Sequence, residues 1–301
     1  MHASRVFCAV VLTGLVATAS VGGCSCGGDS NGPGGGGSGG AGGGGGGAGG
    51  GGQGSGKIKT AKLVTAGVAF DAALSDDGSV VYFTGVTSKG AGAVFSVPVS
   101  GGQPNVVTQT GLVAPLGLAL STDQKTLFVA DPAAETPKED GGSIFSVQAE
   151  GGAPSALAGT SGAVPRALDV VDEGNKTFVY FSGNVMGAPG VFKVGATGGA
   201  IDDVASGAPF RDPAGLAVAR DGTVYVVDTV GGSRTDATVL AVSSKGHTTT
   251  LLNHADVGYP AGVALSQDEK ALLVSGLRDA YGHAAVLRVD LASHEVTTFP
   301  V

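Results

Sequence analysis

The side chains in this chain that could do chemistry are few and widely spaced. All three cysteines, Cys8, Cys24 and Cys26, fall within the first 26 residues. A thiol can act as a nucleophile, an acyl acceptor or a metal ligand only as a thiolate in a suitable setting. The histidines after residue 2 are His247, His254, His283 and His294, and none stands in an HExxH pattern or any other metal-ligand spacing. Serines are common, but they lie in turn-like stretches with no G-x-S-x-G elbow around them. Four aspartates fall at repeated places: Asp71, Asp131, Asp169 and Asp228. Carboxylates held close together can trade a proton or hold a divalent cation, but a lone acid does neither well. The acidic stretch "ETPKEDGG" at 135–142 lacks the alternating carboxylates of a calcium loop and reads as a solvated loop. No catalytic residue, metal site or cofactor is assigned from these patterns.

The elements that position these residues come from a repeat. "PLGLALS" (115–121), "PRALDVV" (165–171), "PAGLAVA" (213–219) and "PAGVALS" (260–266) are one line, and "AFDAALS" (69–75) is a degenerate first copy. The copies start 46, 50, 48 and 47 residues apart. A period of 40–50 residues with only strand-like content indicates a propeller of four-stranded blades, because one such sheet cannot bury its faces alone. The fold class is therefore all-β, with five blades counted and six-bladed closure as the alternative.

Each repeat reads as four strands, a to d. In 213–253 these are "GLAVA", "TVYVVD", "TVLAVSS" and "TTTLLN", separated by turn residues. Three c–d turns carry glycine pairs, at 101–102, 151–152 and 198–199, suited to hairpins that need positive φ. Tyr82, Phe128, Tyr180, Tyr225 and Leu273 share one place on strand b. They are read as fillers between neighbouring blades rather than as a ligand-stacking column. Three residues on, Gly85, Asp131, Gly183, Asp228 and Gly276 share the next column. Its restriction to Gly and Asp suggests a strand end near the left-handed region. Asp71 stands on an innermost strand, where the other copies have Gly or Ala, and is a weak channel candidate. Asp169 is expected to alternate with it and face the other way.

Ahead of the repeats lies a different kind of sequence. Met1–Arg5 is a short basic start, and 6–21 is apolar or small with no charge. Sixteen such residues suit a signal h-region better than a membrane span. "VGGC" at 21–24 resembles the lipobox of bacterial lipoproteins. That resemblance implies cleavage before Cys24 and acylation of Cys24, giving a membrane anchor; an ordinary secretory signal with an incidental cysteine is the alternative. The domains read as 1–23 signal, 24–56 lipidated Cys and tether, and 57–301 propeller. In 27–56, 21 of 30 residues are Gly, a composition that cannot bury enough surface to order itself. Loss of 1–23 removes only Arg5 among the charged residues, leaving 16 Lys and Arg against 25 Asp and Glu. With no basic cluster, nucleic acid is not an expected partner.

"PAGLAVARDGTVYVVDT" followed by "VLAVSSKG" is similar to the NHL repeat and its YWTD and gluconolactonase-like relatives. The likeness covers about 65–301. It implies a propeller, commonly six-bladed, that binds proteins, peptides or RNA. The gluconolactonase-like enzymes hold a divalent metal in the central channel, but their motif residues are not matched here. The expectation is a lipid-anchored, extracytoplasmic binding module for a protein, peptide or envelope glycan, on a bacterial membrane. A lactonase- or hydrolase-type enzyme with a channel metal is the alternative. Recognition is expected on the d–a and b–c loops, which are longer and less alike than the opposite turns. The residues named there are Arg166, Arg211, Asp212, Arg234, His254, Asp256, Arg278, Asp279 and His283.

Overall fold

The computed structural model describes residues 10–13, 16–20, 60–64, 68–135, 141–229, 237–255, 257, 261–277 and 284–300. The described elements are all strands. Twenty of the 23 make five antiparallel four-stranded sheets in a ring, each sheet one repeat in chain order. Blade 1 is β4 (Val68–Leu74), β5 (Val80–Val86), β6 (Gly92–Pro98) and β7 (Asn105–Thr108). Blade 2 is β8 (Leu118–Leu120), β9 (Thr126–Asp131), β10 (Ser143–Gln148) and β11 (Ser155–Ala156). Blade 3 is β12 (Ala163–Glu173), β13 (Lys176–Val185), β14 (Ala188–Gly195) and β15 (Asp202–Ser206). Blade 4 is β16 (Pro213–Val218), β17 (Val224–Asp228), β18 (Ala237–Val242) and β19 (Thr248–Ala255). Blade 5 is β20 (Val263–Leu265), β21 (Ala271–Leu277), β22 (Ala284–Asp290) and β23 (Val296–Pro300). The protein is a five-bladed β-propeller, as the repeat count requires.

The blades hold together through apolar clusters that straddle them. Blades 1 and 2 share Tyr82, Val94, Leu127 and Val129. Blades 2 and 3 share Phe128, Ile144, Phe181 and Phe192. Blades 3 and 4 share Tyr180, Leu216 and Leu240, and blades 4 and 5 share Tyr225, Val239, Leu272 and Leu287. The strand-b aromatics thus fill the wedge between one blade and the next, where each buries a large apolar area.

Polar devices on strand b alternate around the ring. In blades 1, 3 and 5 a hydroxyl precedes the glycine. Thr84 Oγ1 accepts from the Asp71 N–H (3.1 Å), Ser182 Oγ from Ala167 (3.2 Å) and Ser275 Oγ from Gly262 (2.7 Å). In blades 1 and 3 this satisfies a donor at an innermost-strand bulge, where pairing with strand b slips. In blades 2 and 4 the place after it is a buried aspartate. Asp131 accepts from the Val113 and Ala114 N–H groups (2.6 and 3.1 Å), and Asp228 from those of Arg211 and Asp212 (2.8 and 3.1 Å). The left-handed explanation of this column is therefore corrected. Neither aspartate has positive φ; each clamps the loop leading into its own blade's innermost strand. Only Gly183, at φ 146°, meets that expectation, and a Cβ there would lie 2.2 Å from the Val164 carbonyl oxygen.

The remaining three strands, β1 (Val10–Thr13), β2 (Val16–Ser20) and β3 (Thr60–Val64), form a separate sheet in the order β1-β2-β3. A strand just ahead of the first repeat could close the ring by pairing against the C-terminal blade. The structure pairs β3 with β2 instead, through registers such as Ala19 with Ala61. It is β1 that bridges the ends of the ring, lying against β4 of blade 1 and β21 and β22 of blade 5.

Candidate functional site

The five innermost strands wall a central channel with a cavity of about 280 Å³. Of its lining carboxylates, Asp71, Asp76, Asp169 and Glu269, two stand on the innermost strands themselves. Asp71 Oδ1 accepts from the N–H of Ala72 (2.8 Å), and Oδ2 from that of Leu118 on blade 2 (2.9 Å). Asp169 repeats this one blade pair further round, accepting from Val170 (2.8 Å) and from Val218 on blade 4 (2.8 Å). Each acid thus ties an odd blade to the even blade after it. The expectation that Asp169 faces away from Asp71 is overturned. In the repeat frame Asp71 is the third residue of its copy and Asp169 the fifth, and places two apart on a strand share a face.

Burial pushes the Asp71 carboxyl up to about 7; the N–H bonds from Leu118 and Ala72 oppose this, and the charge of Asp169 adds to it. Among the described residues, no three His, Cys, Asp or Glu side chains gather closely enough to hold a metal ion. What the pair offers chemically is acceptor capacity already turned on backbone donors.

The two mouths differ. At the d–a mouth Arg166 pairs with Asp212 at 2.8 Å, linking blade 3 to the loop before blade 4, and Asp212 also accepts from the Thr229 hydroxyl (3.0 Å). At the other mouth the a–b turns are latched between blades. Gln124 Oε1 accepts from the Asp76 N–H (2.9 Å), and Glu269 Oε1 accepts from the Arg220 N–H (3.2 Å). Gln124 and Glu269 hold the same turn position, with φ of 64° and 54°. Arg220 returns the contact through Nε to Glu269 (3.4 Å) and Nη2 to the Gln267 carbonyl (3.2 Å). Sequence reading missed these latches, although Ser-x-Asp-[Gln/Glu]-Lys at 121–125 and 266–270 signals them.

Of the residues expected on the recognition face, Arg166, Arg211, Asp212 and His254 are described. Arg166 and Asp212 are brought together; the Arg211 side chain is exposed, and His254 is exposed at φ 55°. Cys24, Arg234, Asp256, Arg278, Asp279 and His283 lie outside the described residues, as do the tether and Asp236, Glu139 and Asp140.

No family model matches the sequence, and no curated protein matches it. Solved structures do. A chain of the nidogen/laminin complex superposes with a TM-score of 0.65 at 18% identity, over 80% of this chain and 84% of that one. TolB from Acinetobacter baumannii gives 0.63 at 13% identity, over 81% of this chain and 57% of TolB. A gluconolactonase from Xanthomonas campestris gives 0.53 at 16% identity, over 72% of each. This likeness shows the fold alone. The propeller neighbours include a chain from a protein complex as well as an enzyme.

Proposed function

We propose that the chain is a lipid-anchored, extracytoplasmic propeller that binds a protein, peptide or envelope glycan through its d–a and b–c loops. The observation that carries this reading is the engagement of both channel carboxylates. Asp71 and Asp169 each accept two backbone N–H bonds, so the channel acids serve as ties between blades. The varied loops remain as the surface for recognition. Against the enzyme alternative stands the lack of a third ligand beside the two acids among the described residues.

The anchor rests on "VGGC" after an uncharged apolar run. Several acyl chains, at about 0.8 kcal/mol per buried methylene, suffice for stable anchoring. Cys24→Ser should abolish incorporation of labelled palmitate and release the protein from membranes. Persistence of both label and membrane attachment would reject the anchor. For recognition, the informative comparison is capture of envelope proteins and glycan fragments by the wild type, Arg211→Ala and Lys125→Ala. Arg211→Ala should weaken capture of the same species that Lys125→Ala leaves unchanged. A greater loss with Lys125→Ala would place recognition on the opposite face.

A further inference from the structure

The five blades are built as pairs, and the third pair stops halfway. Odd blades carry a hydroxyl and a glycine on strand b: Thr84–Gly85, Ser182–Gly183 and Ser275–Gly276. Even blades carry Asp131 or Asp228 there instead. The channel acids obey the same alternation, reaching from blade 1 to blade 2 and from blade 3 to blade 4. By this pattern blade 5 should be followed by an even partner, but blade 1 comes next.

Three features of the seam between blades 5 and 1 agree. Four apolar clusters straddle blade pairs, while the fifth, among the described residues, is made by blade 1: Val81, Phe83 and Val97, with Phe83 stacked on Phe95 at 5.1 Å. The wedge aromatic of the first four blades is replaced in blade 5 by Leu273. In blades 1 and 3 the strand-b hydroxyl donates across to a carbonyl of the next blade, Thr84 to Leu116 (2.6 Å) and Ser182 to Ala214 (3.2 Å). Among the described residues Ser275 donates only back to Gly262 of its own blade (3.4 Å), a bond that Thr84 makes to Asp71 in addition to its cross-blade one.

The strand seated in this seam is β1. Each innermost strand of blades 3 and 4 lies against the first three strands of the preceding blade: β12 on β8, β9 and β10, and β16 on β12, β13 and β14. β1 lies on β21 and β22, the second and third strands of blade 5, with β4 on its other side. It therefore fills a sixth position between blades 5 and 1, with β2 and β3 following it in its own sheet.

We propose that this sixth position is a strand-accepting site. It is occupied by β1 and β2 in the full chain and, once residues 1–23 are removed, by an extended apolar segment of a partner polypeptide. The second half rests on the reading of Cys24 as a cleavage and lipidation site. β3 remains in the chain but stands third in the sheet, and one strand cannot fill the two inner places. Addition of an outside strand to such a site draws affinity from main-chain hydrogen bonds and specificity from alternate side chains. The sequence of β1, Val10–Thr13, is apolar and β-branched, and an extended segment of that composition is the occupant proposed.

The test uses the full chain with a site-specific protease sequence placed within 27–56. The probe is a labelled synthetic peptide of residues 9–22 carrying added lysines for solubility. Uncut protein should not bind the probe. Cut protein should bind it saturably as the probe displaces the resident fragment, and amide exchange in β4, β21 and β22 should slow again as it binds. Lys245→Ala, in the c–d turn of blade 4 and away from the seam, should leave probe binding unchanged. Equal binding by cut and uncut chain, or none by cut chain, overturns the site. New protection of 60–64 in cut chain that refuses the probe overturns the outside occupant in favour of closure by the chain itself. No lipid processing enters this test, so a failure of palmitate labelling at Cys24 would not be confused with a failure of the site.

Discussion

At the scale of single residues, the aspartates of this ring act as ties, and the ties differ in their electrostatics. Asp71 is held at about 7 in the folded chain against an ordinary 3.8. Below about pH 4 it is protonated whether folded or not and contributes nothing. As the pH rises from about 4 to about 7 the unfolded chain releases the proton first, so stability falls across that window and is level above it. The full shift corresponds to at most about 4 kcal/mol. Asp71→Asn keeps an oxygen for the Leu118 N–H without a titrating group. Its melting temperature should therefore drop less than the wild type's between pH 5 and pH 8; parallel profiles would refute the assignment. Asp131 is a different case, being wholly buried with the N–H groups of Val113, Ala114 and Ala133 on its carboxylate. Asp131→Ala strands those donors and should lower stability by about 2–4 kcal/mol in urea unfolding. A loss under 1 kcal/mol would mean that the clamp does not hold the loop.

At the scale of elements, close approach of innermost strands decides where glycine must stand. A Cβ on Gly117 would lie 2.4 Å from the carbonyl oxygen of Arg166, and one on Gly215 would lie 2.2 Å from that of Ala261. Both contacts are with backbone of the next blade, which cannot swing aside. Gly117→Ala should thus destabilise by about 1–3 kcal/mol. Gly90→Ala, in an open b–c turn at φ 81° with nothing near its Cβ, should lose only the smaller cost of an alanine in the left-handed region, about 1 kcal/mol. Thermal unfolding of the two variants would separate these effects, and equal losses would contradict the crowding argument. Arg166 also belongs at this scale. Its pair with Asp212 crosses between blades while partly exposed, so Arg166→Ala should cost no more than about 1 kcal/mol.

At the scale of the whole molecule, the ring is defined by its seam. Four interfaces between blades are apolar and continuous, and the fifth is bridged by β1. Deleting 57–64 removes β3, which supports β2 and through it β1. The melting temperature should fall by several degrees, and an unchanged value would show that the seam does not depend on this sheet.

The sequence by itself determined the repeat, the four strands per blade and the count of five. Those follow from local patterning: period-two alternation, turn residues and a step of 46–50 residues that any blade must respect. It also placed the aromatic column between blades. Only the tertiary structure decided what these residues touch. The partner of Asp71 is 47 residues away on the next blade, and that of Asp169 is 49 away. No local pattern carries a contact between blades, because it depends on how two sheets are rotated against each other. For the same reason Asp131 and Asp228, which do end their strands, carry no sequence sign of the loop N–H groups they hold. The seam was least legible of all. A repeat announces the blades it contains, but whether its two ends meet depends on the angle each blade subtends, and only packing sets that angle.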